Sequence, residues 1–388
     1  MEGRDNSKPY LVTFKPINRF FFGSSYSLGE GFYAESLKFP QPTTVLGCIR
    51  NTILAQNNLI EITKIPQKDF LENNEAVKQF TGTSKIEKLS DSDDNFGVVE
   101  RISPVFLIKQ SEGKIEDTLF HVPADVVQGE CSFLTCYEYE KEERAKSSYS
   151  GREINYAILS RKQPKSFNAN YYGGRSFWDA YLNKKPLPYD PAYEEDNIFS
   201  TYKNVGIERE NRKAKTGAFY FKIEYSLRDG FSFGLVIWLK SKNGEDAPLK
   251  DGTVILGGER STFSMKVSPV TRDLLSNPVM ERIIDGTCDL IYSLNNCSNK
   301  EKLIALSHVI LDKQSSDDFA SAMEHRIING LHSIRTVKRA NGKEKSEAVR
   351  MIPAGSIFYP SCSIINLSFN WAIPYKIGYN YALRIERR

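Results

Sequence analysis

Residues 254–267 read VILGGERSTFSMKV: an apolar run, two adjacent glycines, a Glu-Arg pair and then alternating apolar residues. A glycine pair is costly in conformational entropy, so a fold keeps it where backbone must bend or come close to something. Gly257 and Gly258 could admit a phosphate, a base or the next strand, and Arg260 and Lys266 follow as cations suited to phosphate. Three further stretches set positive charge beside rings or in runs. The first holds Arg152, Arg161, Lys165 and Arg175 among Phe167, Tyr171, Tyr172 and Phe177; the second is ERENRKAK, with Arg209, Arg212 and Lys213; the third runs from Arg335 to Arg350, six basic residues against two acidic. Single-stranded RNA asks for this pairing, cations along the phosphates and flat groups under splayed bases. A lone cluster of this kind is as readily a solvated face. Three of them in one chain point to RNA.

Catalytic chemistry finds less support. The four histidines, His121, His308, His325 and His332, sit in none of the spacings that build a metal site. No phosphate-cradling P-loop, nucleophile elbow or dinucleotide fingerprint occurs. His121, near Lys109, has the chemistry of a general base for metal-independent RNA cleavage. The simpler reading is a polar residue on a half-buried strand. DSDDN at 91–95 reads as a solvated acidic loop, and Lys222 and Tyr225 have no neighbour in sequence that certifies a role. The expectation is a protein without catalytic residues, metal or cofactor.

The net charge is only +4, from 52 Lys+Arg against 48 Asp+Glu, so any polyanion partner must be met by local clustering. The 388 residues, 40% hydrophobic and 26% charged, suggest two or three globular domains. The start, MEGRDNSKPY, has no signal-peptide character, and the longest apolar runs, such as LVIWL at 235–239, are too short to span a bilayer. Six cysteines without paired spacing read as free thiols of a reducing compartment. These features lead us to expect a cytoplasmic protein with no membrane partner.

Stepping along the chain, YLVTFKPINRFFF (10–22) predicts a strand, and FPQPTTVLGCIRNTILAQ a helix capped by Thr43 or Thr44 with Val45, Leu46, Ile49, Ile53 and Leu54 on one face. ERISPVFLIK and DTLFHVPADVV predict two strands around SEGK, and AFYFKIEYSL and FSFGLVIWL predict a hairpin around RDG at 228–230. A short helix is expected before the glycine loop and a strand after it. The order is that of a ferredoxin-like βαββαβ unit, the architecture of RNA-recognition-motif sheets. A weaker second copy follows. The expected fold is therefore α+β, two ferredoxin-like (RRM-like) domains at 1–269 and 270–388, with insertions in the first at about 61–97 and 138–200.

Several strings, in this order, resemble the RAMP superfamily of CRISPR proteins, nearest to subunit 3 of type III-B (Cmr) effector complexes. They are FKPINRFFF, FPQPTTVLGCIR, VGIERENRKAKTGAFYFKIEYSL with GLVIWL, LGGER, and MIPAGSIFYPS. The resemblance implies two ferredoxin-like domains and a non-catalytic role: capping the repeat-derived 5′ handle of the guide RNA and joining the large polymerase-like subunit to the backbone filament. It also implies that the glycine loop approaches RNA with Arg260 on phosphate, and that Arg50, Arg209, Arg212 and Lys213 are contact candidates. Two departures stand out: Asn18 and GSS where the family has an Asp and an Arg-containing turn, and a tail reading GYNYALRI. The rival expectations are a guide-precursor endoribonuclease using His121 or a Lys/Tyr pair, and a protein-only adaptor.

Overall fold

The strand FSFGLVIWLK explains the architecture, because nine successive residues in it are buried. A strand apolar on both faces must lie inside a sheet covered on both sides. In the computed structural model, which describes residues 7–23, 33–61, 74–84, 93–128, 132–135, 145–146, 153–154, 170–188, 192–210, 213–240, 248–298, 300–311, 313–328, 332–334, 349–361 and 372–387, it does.

The elements that matter, in chain order, begin with β1 (Ser7–Pro16), α1 (Pro42–Gln56), β2 (Val99–Ile102), β3 (Phe106–Ser111), β4 (Lys114–His121), β5 (Tyr171–Gly173) and α2 (Arg175–Leu182). Next come β6 (Ala192–Glu194), β7 (Phe199–Glu210), β8 (Lys213–Leu227), β9 (Phe231–Lys240), β10 (Gly252–Ile255), β11 (Thr262–Pro269) and α3 (Pro278–Ile284). The last are β12 (Glu301–Ala305), α4 (Lys313–Ala322), β13 (Met323–Ile327), β14 (Ile357–Pro360), α5 (Ala372–Lys376) and β15 (Ala382–Glu386). The protein is α+β, and its sheets are mostly antiparallel.

A nine-stranded sheet runs β6-β5-β4-β3-β9-β1-β11-β10, with β2 also on β9. A four-stranded sheet runs β13-β14-β12-β15, all antiparallel. In the four strands β1, β3, β9 and β11, and again in β12 to β15, the first strand lies between the third and fourth and the second lies outside the third. A helix, α1 or α4, connects first to second in each case. Where a short helix is expected before the glycine loop, TVI lies in the strand β10, paired antiparallel with β11, and 248–251 are not helical; a β-branched residue at each of these three positions suits a sheet edge better than a helix face.

Side-chain alternation divides the core. From β1 and β9, Val12, Phe14, Phe233, Leu235 and Ile237 face one cluster with α1; Leu11, Val236 and Trp238 face another. Val45, Leu46, Ile49, Ile53 and Leu54 are all buried on α1, as their spacing predicts. The cap is Gln41 rather than a threonine, because Pro42 takes the first helical position, where a missing N–H costs nothing.

The SEGK hairpin forms between β3 and β4, with Glu112 and Gly113 both at positive φ. The RDG hairpin does not form. β8 and β9 do flank residues 228–230, yet β8 pairs with β7 and with Tyr33–Glu35 in a separate sheet, while β9 pairs with β1, β2 and β3. The physical reason lies in their patterns: β9 is apolar on both faces and goes inside, whereas the FKIEYS portion of β8 alternates and suits a half-exposed sheet.

The smaller sheet covers the second face of the large one. Leu11, Phe106, Ile108, Val236 and Trp238 share a cluster with Ile304, Ile357, Tyr359, Tyr381 and Leu383. Into this layer Lys302 of β12 carries a charge, with a side chain only 6% exposed, and pairs with Asp125, 2% exposed. The Tyr181 hydroxyl of α2 donates to the same carboxylate at 2.8 and 3.0 Å. Further ties cross the junction: Ala124 N–H to Gly355 O at 2.8 Å, and Lys376 to Asp94 at 2.7 Å and Glu100 at 3.5 Å. The GYNY tail is one of them. Gly378, at φ +88, passes so close to the Ser103 carbonyl that a Cβ would lie 2.6 Å from it. Tyr379 donates to Gln41, and the Tyr381 hydroxyl to Ile102 O.

The described cysteines, Cys48, Cys288 and Cys297, are free thiols, and burial pushes those of Cys48 and Cys288 up to about 12. Among the described residues, no helix is long and apolar enough to cross a membrane, and no group of three metal-ligating side chains occurs.

Removing one partner of a buried ion pair strands the other. Asp125→Ala is expected to lower stability by about 3–5 kcal/mol in urea unfolding. Asp125→Leu combined with Lys302→Met is expected to recover most of that loss. Equal losses in the single and double variants would show that packing, not charge, is at stake.

Candidate nucleic-acid interface

The glycine loop is first a piece of packing. Gly257 has φ +92, and a Cβ there would lie 2.7 Å from the Phe22 ring and 2.8 Å from Phe21 O. Gly258 N–H donates to Phe21 O at 2.8 Å, and Phe21 N–H donates to Ser261 Oγ at 3.0 Å. The loop is thus stitched to the RFFF segment. In that segment Phe20 is fully buried and stacked on Phe22 at 4.5 Å, and it exchanges backbone bonds with Tyr225 of β8. The aromatic triplet therefore sits between the glycine turn and the β7–β8 hairpin and fixes one against the other.

The turn itself is exposed. Ser261 N–H returns to Gly258 O at 3.1 Å, and the two residues between, Glu259 and Arg260, have φ of +56 and +55. Two successive positive φ values joining β10 to β11 have the sign pattern of a type I′ turn, whose usual residues are Asn and Gly. An ordinary side chain in the left-handed region costs roughly 1–2 kcal/mol. Here two long charged side chains occupy it.

Beside the turn lies one face of the β7–β8 hairpin. In the register Tyr202↔Glu224 and Asn204↔Lys222, these four side chains share a face. The Arg19 guanidinium lies 4.0 Å above the Tyr202 ring and donates to Asn204 Oδ1 at 3.5 Å; Asn204 donates to Glu224. Lys222 pairs with Glu224 at 2.9 Å and with Glu259 of the turn at 3.4 Å, and lies 5.0 Å from the Phe21 ring centroid. The result is a connected polar strip with an exposed guanidinium, an aromatic ring and a turn at its end. On such a surface a phosphate can meet Arg19 or Arg260, and a base can meet a flat group.

The candidates from sequence fall in different places. Gly257, Gly258 and Arg260 meet on the turn, whereas Lys266 is exposed towards the far end of β11, opposite Thr13, on the face away from Phe263 and Met265. Arg209 and Lys213 lie on β7 and β8, paired with Ala214 and Glu210. Arg152, Arg161, Lys165 and Arg212 lie outside the described residues. Arg175 stands away from the turn: its N–H caps on Asp117 at 2.9 Å, next to β5, and five strand spacings separate β5 from β11, roughly 24 Å. Burial raises the Asp117 carboxyl above its usual range, against the lowering effect of the Arg175 and Thr118 N–H bonds. Arg50 points inward. Its guanidinium donates to the Thr81 and Ser84 carbonyls and lies 5.2 Å from the Phe96 ring centroid, and burial lowers it to about 10 although Asp93 opposes the shift.

Arg19, Tyr202 and Lys222 are what sequence reasoning missed as a group. The readable signal was an arginine directly before three phenylalanines; the partnership of Lys222 with Glu259 spans 37 residues and leaves no local trace. The sheet face that an RNA-recognition motif offers to bases is also not available here, since Leu11, Phe106 and Trp238 on it are buried under the smaller sheet. Among the described residues, that leaves turns, edges and the hairpin to meet RNA.

His121 is half-buried with its ring 4.6 Å from Tyr172 and 5.4 Å from Phe39. The Tyr172 hydroxyl donates to Glu195 at 3.3 Å, and Glu195 pairs with Lys38.

Residues 12–386 match the family described as CRISPR-associated protein (Cas_Cmr3). No curated protein matches the sequence. Among solved structures the chain is similar to one described as the cryo-EM structure of the type III-B Cmr-beta bound to cognate target RNA, at 17% identity and a TM-score of 0.52, covering 97% of this chain and 96% of that one. A second, of the same assembly with target RNA and AMPPnP, is similar at 16% identity and a TM-score of 0.51 over the same shares. At these identities the likeness concerns the fold.

Arg50→Ala is expected to lower stability by about 1–3 kcal/mol, since two carbonyls and a ring lose their partner, while RNA affinity stays as in the wild type. Loss of affinity without loss of stability would return Arg50 to the interface.

Proposed function

The chain belongs to the CRISPR-associated Cas_Cmr3 family, and from that premise we propose that it is a non-catalytic, RNA-binding structural subunit of a type III-B effector complex. It anchors the repeat-derived 5′ handle of the guide RNA and bridges the large polymerase-like subunit to the backbone filament, in antiviral defence in the cytoplasm. The observation that carries this reading is the strip that ends in the Glu259–Arg260 turn. It sets exposed Arg19 and Arg260 beside a ring and an aromatic-backed glycine turn. The solved structures of similar fold are complexes bound to target RNA, which agrees with an RNA partner.

We read the two sets of four strands, with their fourth-first-third-second order, as two ferredoxin-like domains, 1–269 and 270–388, the first carrying the insertions at about 61–97 and 138–200. A non-catalytic role is supported by how the rival candidates are spent. The His121 ring lies against Tyr172 and Phe39, the Tyr225 hydroxyl donates to Glu35, and Lys222 pairs with two carboxylates. A general base must instead reach the proton it removes.

Fluorescence anisotropy of the full chain, alone and with the large subunit, with guide RNA carrying the true handle or a scrambled one, tests this. The true handle is expected to bind more tightly, with a salt slope of about −0.7 per phosphate neutralised, and Arg260→Ala is expected to remove about one such contact. Equal and weak binding of both RNAs would leave a protein-only adaptor. Cleavage of repeat RNA that is lost in His121→Ala would establish the nuclease instead.

A further inference from the structure

Lys222 is a cation of the hairpin that reaches the turn, yet it is already doubly neutralised. Glu224 holds it at 2.9 Å, with a carboxylate only 16% exposed that also accepts from Asn204. Glu259 holds it at 3.4 Å, with a side chain 62% exposed. The two carboxylates are therefore unequal: Glu224 is built in and Glu259 is replaceable. A second observation lies in the turn itself: Glu259 and Arg260 sit at φ +56 and +55, where glycine or asparagine would be relaxed, so backbone strain is accepted to hold a carboxylate and a guanidinium there.

We propose that Glu259 is an intramolecular counter-ion that occupies the phosphate position on Lys222 in the free protein and is displaced by an RNA phosphate when the strand is seated on the turn. It keeps Lys222 neutral until a strand is seated. A polyanion that drifts onto the strip must compete with a carboxylate already there, while an RNA held also by Arg260 and Arg19 makes enough contacts to displace it. Lys222 is thereby kept from loose binding of any nucleic acid. This rests on the reading that RNA is bound at the turn.

The test is a double-variant cycle on the full chain, read by anisotropy with handle and scrambled RNA over a salt series, with thermal melting to confirm folding. Glu259→Gln keeps the size and removes the charge; Lys222→Met keeps the stem against Phe21 and removes the cation. Glu259→Gln is expected to tighten scrambled RNA about two- to five-fold, as suits release of an exposed pair, and to steepen its salt slope by about 0.7, one further phosphate. The handle RNA, which already displaces Glu259 in the wild type, is expected to tighten at least as much, with its salt slope unchanged. In the Lys222→Met background the gain from Glu259→Gln is expected to vanish. A gain of the same size without Lys222 would show that Glu259 merely repels RNA, and an unchanged affinity and salt slope for the scrambled RNA would refute the counter-ion role. If Arg260→Ala weakens binding while Glu259→Gln changes nothing, this inference alone fails. If Arg260→Ala is silent and the handle is not preferred, the reading beneath it fails and this one with it.

Discussion

Lys302 brings a charge into the apolar layer between the two sheets, and the arrangement of the molecule follows from the need to pair it. Asp125, at the end of the β4 segment, and the Tyr181 hydroxyl of α2 meet it there. A buried cation tolerates few positions, because leaving it unpaired in a low-dielectric layer costs several kcal/mol. The pair therefore specifies how the smaller sheet lies on the larger. Dispersion and the hydrophobic effect supply the bulk of the adhesion through Trp238, Phe106, Tyr359 and Tyr381, but they are less particular about registry. With the second face of the large sheet sealed in this way, β9 can be apolar throughout.

Sealing that face has a functional consequence. The surface that a ferredoxin-like sheet could offer to RNA is spent on internal packing, and the proposed binding site lies on the rim. There the protein builds a second rigid device from aromatic residues. Phe20 and Phe22 enter the core, Phe21 lies under Lys222, and their backbone bonds fasten the glycine turn on one side and the hairpin on the other. The glycines serve this fastening directly, and in doing so hold Glu259 and Arg260 out on a short, rigid turn. Packing and presentation are the same structural fact seen from two sides.

Much of this was legible in the sequence where the signal is local. The SEGK turn was readable because Glu112 and Gly113 lie between two apolar alternations, and the apolar face of α1 because its spacing is helical. The RDG turn misled: turn chemistry shows where a chain reverses, not which strand it then pairs with, and the two-sided burial of β9 decided that. Arg50 illustrates the same limit at the level of the site. A basic residue at the edge of a helix motif looks available until the carbonyls of Thr81 and Ser84 claim it. The departures at the tail had a structural answer, since GYNY is the joint through which Gly378, Tyr379 and Tyr381 grip the larger sheet. Polar partnerships across long sequence separations, Lys302 with Asp125 and Lys222 with Glu259, were invisible because nothing local distinguishes a paired lysine from a solvated one.

The claim that RNA is met at the rim, on the turn and the hairpin face, is tested most directly by photo-cross-linking. Guide RNA carrying 4-thiouridine in its handle would be bound to the full chain, irradiated, and the cross-linked peptides identified by mass spectrometry. The account predicts adducts in the segments spanning 253–266 and 199–225. Adducts confined to the segment around Arg175, with none on the turn, would contradict it.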